Sequence, residues 1–148
     1  QVTGRAGRAA AAGHGLVQTY MPEHPVMAAI VAGDRQAFLN YEVKTRQAGM
    51  LPPYGRLAAI VVSAREKEQA ERTARAMALA APPSDRISVL GPAEAPIAIV
   101  RGRHRWRLLV KAPRDIDLQS YLRAWSQALP SFKGDVRVSL DVDPYNFL

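Results

Sequence analysis

Residues 57–62 read Leu-Ala-Ala-Ile-Val-Val, a continuous aliphatic run in which half of the side chains are β-branched. A run of this length and composition predicts a strand that is buried in a sheet. Ser-Ala-Arg-Glu follows at residues 63–66 and has the spacing of a capping box, in which the serine and glutamate side chains satisfy free amides at a helix start. We therefore expect a helix from this point to about Ala81, where Pro82 and Pro83 end it.

The alternation of strands and helices continues to the end of the chain. Gly91 and Pro92 predict a turn, and the two stretches that follow it predict either one long strand or two strands in a hairpin. The further elements are strands at residues 87–90, 97–101, 106–111 and 136–141, and an amphipathic helix at residues 115–129. The order strand, helix, strand, strand, helix, strand predicts an α+β domain of the ferredoxin-like βαββαβ type, with two helices on one face of an antiparallel sheet.

The first third of the chain has a different pattern. Residues 15–20 alternate enough to predict a short strand. Two helices are predicted within residues 25–49, because Gly33 breaks the first and Asp34 can cap the second. Residues 51–54 read Leu-Pro-Pro-Tyr, an extended sequence typical of a domain boundary. We therefore divide the chain into residues 1–21, 22–53 and 54–148.

Composition limits the class of protein. The chain has 148 residues, 48% of them hydrophobic and 22% charged, which suits a globular protein with a core. It has no cysteine, so a disulfide or a thiolate zinc site within it is excluded. The apolar runs are too short to cross a bilayer and no signal peptide is recognisable, so we expect a cytoplasmic protein without a membrane partner. Because the chain lacks an initiator Met, we also expect it to be a fragment.

The net charge of +7 indicates an anionic partner. Such a basic excess commonly serves nucleic-acid binding, since neutralising phosphates releases counterions. A basic surface that only keeps the protein soluble is the alternative.

Residues 1–8 read Gln-Val-Thr-Gly-Arg-Ala-Gly-Arg. Arg5 and Arg8 stand three residues apart on a backbone freed by Gly4 and Gly7, so both guanidinium groups can be aimed at a polyphosphate. An arginine placed there can stabilise the charge that grows on a γ-phosphate during hydrolysis. The alternative is a basic loop on the surface.

A second group of basic residues predicts a nucleic-acid contact. Because side chains alternate along a strand, five basic side chains are expected to form one stripe: Arg101, Arg103, Arg105, Arg107 and Lys111. The side chains expected on the opposite face are His104, Trp106, Leu108 and Val110. The arginines repel one another, so a phosphate backbone is the favoured counterpart, with a solvated face or a salt-bridged interface as alternatives. Trp106 could stack on a base, but its position opposite the arginines favours a place in the core.

The sequence predicts no metal site and no nucleophilic catalytic site. Asp141 and Asp143 stand two residues apart before Pro144, which makes a poor metal cage and favours a role in a turn. The three histidines, His14, His24 and His104, are scattered without metal-ligand spacing.

The motif at residues 1–8 resembles the final conserved motif of superfamily 2 helicases, in a form close to that of the PriA (primosomal protein N′) family of replication-restart DNA helicases. The resemblance continues through Gly-Pro-Ala-Glu-Ala-Pro-Ile at 91–97, Arg-Trp-Arg-Leu-Leu-Val-Lys at 105–111 and Asp-Val-Asp-Pro at 141–144. It implies that residues 1–21 end a RecA-like helicase lobe, that residues 22–53 are linker helices, and that residues 54–148 are a DNA-binding domain resembling a ribosomal small-subunit protein. It also implies nucleotide contacts from Gln1, Gly4, Arg5, Gly7 and Arg8, with Arg5 and Arg8 catalytic and Arg8 the arginine finger.

The resemblance further implies an ATP-dependent 3′-to-5′ DNA helicase as the parent protein, which uses ATP and Mg²⁺ and carries zinc outside this fragment. The phosphate-binding loop of such enzymes is absent from these residues, so the fragment alone is expected to bind no cofactor and to be inactive. The expected partners are single-stranded and branched DNA, other primosome proteins, and single-strand-binding protein, whose acidic tail would contact Arg114 and Gln119. A monomer is expected. The alternatives are a non-catalytic ferredoxin-like adaptor that binds nucleic acid and a purely structural interaction domain.

Overall fold

The computed structural model describes residues 15–129, 132 and 134–144. The chain divides into two units, Gln1–Val43 and Lys44–Leu148. The boundaries expected near residues 21 and 53 stay predictions. The expected end of a helicase lobe lies mostly outside the described residues.

The two helices at the start are α1 (Pro25–Ala32) and α2 (Arg35–Ala48). His24 caps α1 by accepting a hydrogen bond on Nδ1 from the Val26 amide at 3.3 Å. Gly33 ends α1 with a φ of 65°, in the left-handed region that favours glycine. Asp34 then caps α2, because its Oδ1 accepts from the Ala37 amide at 2.9 Å. The predicted break and cap are confirmed.

The strand predicted at residues 15–20 is wrong. These residues have no regular secondary structure, and the side chains of Leu16 and Tyr20 are fully exposed. A strand needs a neighbour for its backbone amides and carbonyls, and local alternation of side chains cannot supply one.

The rest of the chain has the predicted order of elements. They are β1 (Gly55–Ala64), α3 (Lys67–Leu79), β2 (Ser88–Val100), β3 (Arg103–Pro113), α4 (Leu118–Ala128) and β4 (Arg137–Val142). The strands form one sheet in the order β2-β3-β1-β4, and each neighbouring pair is antiparallel. This arrangement confirms the α+β, ferredoxin-like prediction.

The core lies between α3, α4 and one face of the sheet. Trp125 is its largest side chain, and its Nε1 donates to the Met77 carbonyl at 3.1 Å. The buried members are Ala58, Ile60, Val62, Ala74, Met77, Leu108, Val110, Ala112, Leu118, Leu122 and Trp125. Trp106 packs against this cluster, as predicted, and does not lie with the arginines.

The capping box predicted at residues 63–66 does not form. β1 continues through Ser63 and Ala64, and α3 begins at Lys67, behind Glu66, whose side chain makes no capping bond. Ser63 is held in the sheet because it pairs with Arg105 on one side and Arg137 on the other. Pairing with two strands satisfies the backbone of this residue, so it is unavailable as a helix cap.

The turn predicted at Gly91-Pro92 is an irregularity inside β2, where the register with β3 shifts between Leu90 and Ala93. Gly91 has a φ of +97°, and a Cβ there would lie 2.8 Å from the Arg107 carbonyl oxygen. Only glycine suits so close an approach of two strands at this φ. The chain reverses between Val100 and Arg103, where β2 ends and β3 begins. These two strands form the hairpin that was one of the two predictions for the stretches after Pro92.

Candidate functional site

The sheet has one covered face and one that carries basic side chains. Leu108 and Val110 of β3 have no exposed surface and lie against the helices. Since side chains alternate along a strand, the odd-numbered residues of β3 lie on the other face. This confirms the predicted alternation for Arg103, Arg105, Arg107 and Lys111. Arg101 is different, because it lies in the two-residue turn between β2 and β3 with a φ of 51°.

The strand register places basic residues in rows across this face. Ser63 of β1 lies between Arg105 of β3 and Arg137 of β4. In the next row, Val61 lies between Arg107 and Ser139. Directly opposed residues in antiparallel strands project from the same face, so β4 adds Arg137 to the predicted set.

Arg103 differs from the other arginines because it is neutralised within the protein. Its Nη1 donates to Asp135 Oδ2 at 2.8 Å, and its Nη2 donates to the Ser63 carbonyl at 2.9 Å and to the Asp135 carbonyl. Its Nε donates to Ser63 Oγ at 3.3 Å. Only 14% of the Arg103 side chain is exposed. Arg103 therefore joins the start of β3 to the end of β1 and to the segment before β4.

An open pocket of about 360 Å³ lies at the hairpin end of this face. It is lined by Ser63, Val100, Arg101, Arg103, Arg105 and Arg137. Arg105 also donates from Nη1 to the Ile97 carbonyl at 3.3 Å, which holds its side chain toward β2. Four guanidinium groups and one carboxylate, Asp135, thus meet at this end of the sheet, and the pocket suits an anion.

Sequence reasoning missed Arg137. The signal was present, because the last strand was predicted and its alternation puts residues 137, 139 and 141 on one face. What was missing was the register, which places this strand beside β1 and not beside β3.

The two residues predicted to contact a protein partner line different cavities. Arg114 lines a pocket of about 370 Å³ together with Pro52, Pro53, Gly55, Arg56 and Asp143. Gln119 lines an open groove of about 430 Å³ between α4 and β4, together with Leu122, Arg123, Ser126, Gln127, Leu140 and Val142. Both cavities belong to the second unit of the chain.

Asp115 is compensated by Arg86. Nη2 of Arg86 lies 2.9 Å from each carboxylate oxygen of Asp115. The hydrogen bond from Arg86, together with a backbone hydrogen bond and the positive charge, holds the pKa of Asp115 below its usual value. The negative charge of Asp115 is therefore partly screened from any acidic ligand near Arg114.

This pair can be tested by NMR. Titration of the side-chain carboxyl carbon should give a pKa for Asp115 below that of an ordinary aspartate. In Arg86→Ala, the pKa should rise toward the ordinary value because the ionised form loses its partner. Arg75→Ala, which breaks a separate pair with Glu71, should leave the titration of Asp115 unchanged. A value for Asp115 that is the same with and without Arg86 would contradict the contact.

Of the two aspartates predicted to form a turn, Asp143 lies in a bend directly after β4, whereas Asp141 lies within β4 and pairs with Ala59. Asp143 has a φ of 51°, and its Oδ1 accepts from the Leu57 amide at 3.2 Å. Its Oδ2 accepts from Nη2 of Arg56 at 2.8 Å, and its own amide donates to the Leu57 carbonyl at 2.7 Å. This carboxylate fastens the end of β4 to the start of β1. In the part of the chain that the structure describes, there is no cluster of three or more acidic, histidine or cysteine side chains suited to a metal ion.

Residues 15–129, 132 and 134–144 include no helix with the length and apolarity needed to cross a membrane. The motif residues Gln1, Gly4, Arg5, Gly7 and Arg8 lie outside the described residues.

Comparison with known proteins supports the family resemblance seen in the sequence. Residues 47–145 match the family model described as the primosomal protein N C-terminal domain. The chain belongs to the PriA family. All three family-like stretches after residue 90 lie within the matched region.

The chain is similar to PriA proteins over nearly its full length. It is 32% identical over 149 residues to the replication restart protein PriA of Rickettsia felis, covering 99% of this chain and 22% of that protein. It is 36% identical to the PriA of Haemophilus influenzae, covering 97% of this chain and 20% of the relative. The PriA of Synechocystis sp. is also 36% identical, with coverage of 97% and 17%. The chain thus spans about a fifth of the length of these relatives.

Proposed function

We propose that this chain is part of a replication restart protein and that its ferredoxin-like domain holds DNA by the phosphate backbone. The observation that carries the proposal is the set of basic side chains on the face of the sheet that points away from α3 and α4. The proposed DNA-binding residues are Arg101, Arg103, Arg105, Arg107 and Lys111, with Arg137 added from β4. Arg103 is included because it lies on the same face as the other basic residues. Its pairing with Asp135 gives it the role of supporting the site.

The face is suited to phosphates and poorly suited to bases. Its odd-numbered residues in β1, β3 and β4 include no aromatic ring among the described positions, so it has no platform on which a base could stack. Arginine side chains on a sheet can neutralise a phosphate backbone of any sequence. We therefore expect binding to single-stranded and branched DNA with little sequence preference.

The test is a fluorescence titration of the 148-residue chain with a forked DNA substrate at several salt concentrations. Affinity should fall as salt rises, with a slope of about −0.7 to −0.9 per phosphate contact on a log–log plot. Two substrates with shuffled sequences should bind equally well. Binding that does not change with salt concentration, or that depends strongly on DNA sequence, would argue against the proposal.

The parent protein is proposed to be an ATP-dependent 3′-to-5′ DNA helicase that uses ATP and Mg²⁺ and carries zinc outside this chain. The support is the motif at residues 1–8 together with membership of the PriA family. In that proposal Arg5 and Arg8 reach the nucleotide, and Gln1, Gly4 and Gly7 shape the loop that carries them. This chain lacks a phosphate-binding loop, so by itself it should not hydrolyse ATP.

The proposed protein partners are single-strand-binding protein and other primosome proteins, with Arg114 and Gln119 as contacts for an acidic tail. Two features favour this placement. Arg86 compensates Asp115, which would otherwise repel an acidic peptide beside Arg114. Gln119 and Arg123 lie along a groove with apolar side chains in its wall, which an extended peptide could enter. The alternative function, a non-catalytic nucleic-acid adaptor, would use the same basic face without the ATPase.

A further inference from the structure

Three arginines from separate segments surround Ser63 at the hairpin end of the sheet. Arg105 projects from β3, Arg137 projects from β4, and Arg101 lies in the turn that joins β2 to β3. All three line the pocket of about 360 Å³ that includes Ser63 and Arg103. β3 and β4 lie on opposite sides of β1, about 10 Å apart, which leaves room for one anionic group between their side chains.

The charges in this pocket are unequally compensated. Asp135 neutralises Arg103 through the contact at 2.8 Å, and it also lies 3.8 Å from Nε of Arg65. Within the described part of the chain, the side chains of Arg101 and Arg137 make no ion pair or hydrogen bond, and both residues are exposed. Among the described residues, the Arg105 side chain hydrogen-bonds only to a neutral carbonyl, that of Ile97. Three guanidinium groups therefore share one open pocket without a carboxylate of their own, an arrangement that an anion would stabilise.

The hydroxyl of Ser63 is oriented for the same ligand. Its Oγ accepts the Nε–H of Arg103 at 3.3 Å, so the hydroxyl hydrogen remains available to donate. Because Arg103 is fixed by Asp135, this orientation is set before any ligand arrives. Arginine forks and a serine hydroxyl together are donors that suit phosphate oxygens.

The charge pattern also favours one path for a bound polyanion. Two rows along the sheet, Ala59 lies between Leu109 of β3 and Asp141 of β4, so the β4 side of the face changes from basic to acidic. A polyanion that followed β4 would meet Asp141, whereas one that crosses the strands at the hairpin end meets the arginines, Ser63 and Asp135, whose charge is already paired with Arg103.

We propose that Arg101, Arg105 and Arg137 form a phosphate seat over Ser63, and that a nucleic-acid backbone crosses the strands of the sheet there. The seat rests on the proposed function for the identity of its ligand, a phosphodiester backbone. It goes beyond that function by placing one phosphate in the pocket over Ser63 and by giving the backbone a path across the strands. Val100, the apolar member of the pocket, offers nothing to read a base.

The test compares seat variants of the 148-residue chain with a matched control. Arg137→Ala and Arg105→Ala each remove one seat arginine, and Arg72→Ala removes an exposed arginine of α3, on the helical side of the sheet. Each seat variant should weaken binding to forked DNA about threefold to tenfold and flatten the salt slope by about one unit. Arg72→Ala should bind as the unchanged chain does. Inorganic tripolyphosphate should compete with DNA for the unchanged chain and less well for Arg137→Ala.

The outcomes separate the seat from the broader function. If the unchanged chain binds DNA with a clear salt slope while Arg137→Ala and Arg105→Ala behave like Arg72→Ala, the seat is wrong and DNA binding by the domain stands. If the unchanged chain binds no DNA even at low salt, the proposed function fails and the seat fails with it. Thermal unfolding of each variant shows whether the fold is kept, and Arg137→Gln, which keeps most of the side chain, replaces Arg137→Ala if that variant unfolds.

Discussion

Replacing Arg8 by alanine in the full-length protein is expected to lower ATP hydrolysis about 1,000-fold or more. An arginine finger acts mainly on the transition state, where its guanidinium stabilises charge that grows on the transferred phosphoryl group. The effect should therefore appear in kcat, with a much smaller change in ATP binding. The measurement is DNA-stimulated phosphate release at saturating ATP.

A matched control makes this result specific. Arg35→Ala removes an exposed arginine at the start of α2, outside the motif, and should hydrolyse ATP at the normal rate. The 148-residue chain itself should release no phosphate above background. A full-length Arg8→Ala protein with normal ATP turnover, or an ATPase-active 148-residue chain, would contradict the role assigned to the motif at residues 1–8.

The order of the elements and the covered face of α4 could be predicted because both depend on local periodicity. Leu118, Leu122 and Trp125 repeat at helical spacing, and all three are buried. The sequence predictions failed where the local structure depends on a segment that is distant in the chain. Ser63 had the spacing of a helix cap, but pairing with strands 42 and 74 residues further along keeps it in β1. Conversely, residues 15–20 had the alternation of a strand but have no regular secondary structure.

The same limit applies to the basic stripe. Arg103 and Arg105 have the same side chain, the same strand and the same face, so a sequence pattern cannot separate them. The difference comes from Asp135, which lies 32 residues beyond Arg103 in the chain and is brought to it by the pairing of β4 with β1. Arg137 becomes part of the candidate site by the same pairing. The periodicity of a strand predicts on which face of the sheet a side chain lies, whereas the register between strands determines which residue it contacts.

Arg103→Ala is accordingly expected to lower the free energy of unfolding by about 2 to 3 kcal/mol, a value typical of losing charged hydrogen bonds in a partly buried setting. The variant removes four donated hydrogen bonds and leaves Asp135 with its remaining contacts to Arg65. Arg105→Ala, two residues away on the same face, should change stability by less than about 0.5 kcal/mol, because Arg105 donates to one carbonyl at the surface. Urea unfolding followed by circular dichroism measures both.

The comparison also separates a supporting role from a binding role for these two arginines. Arg105→Ala should keep the fold and lose DNA affinity, whereas Arg103→Ala should lose stability first and lose affinity because Ser63 and the start of β3 are no longer held in place. Asp135→Asn provides the second arm: it keeps the size of the side chain, removes the charge that fixes Arg103, and should destabilise the domain in the same direction. If Arg103 and Asp135 act as one unit, the double variant should be less destabilised than the sum of the single variants, since the second change has no intact pair left to break. Equal stabilities for Arg103→Ala and Arg105→Ala would mean that the Arg103–Asp135 contact contributes nothing to the fold in solution, and Arg103 would then belong with the arginines that are free to bind phosphate.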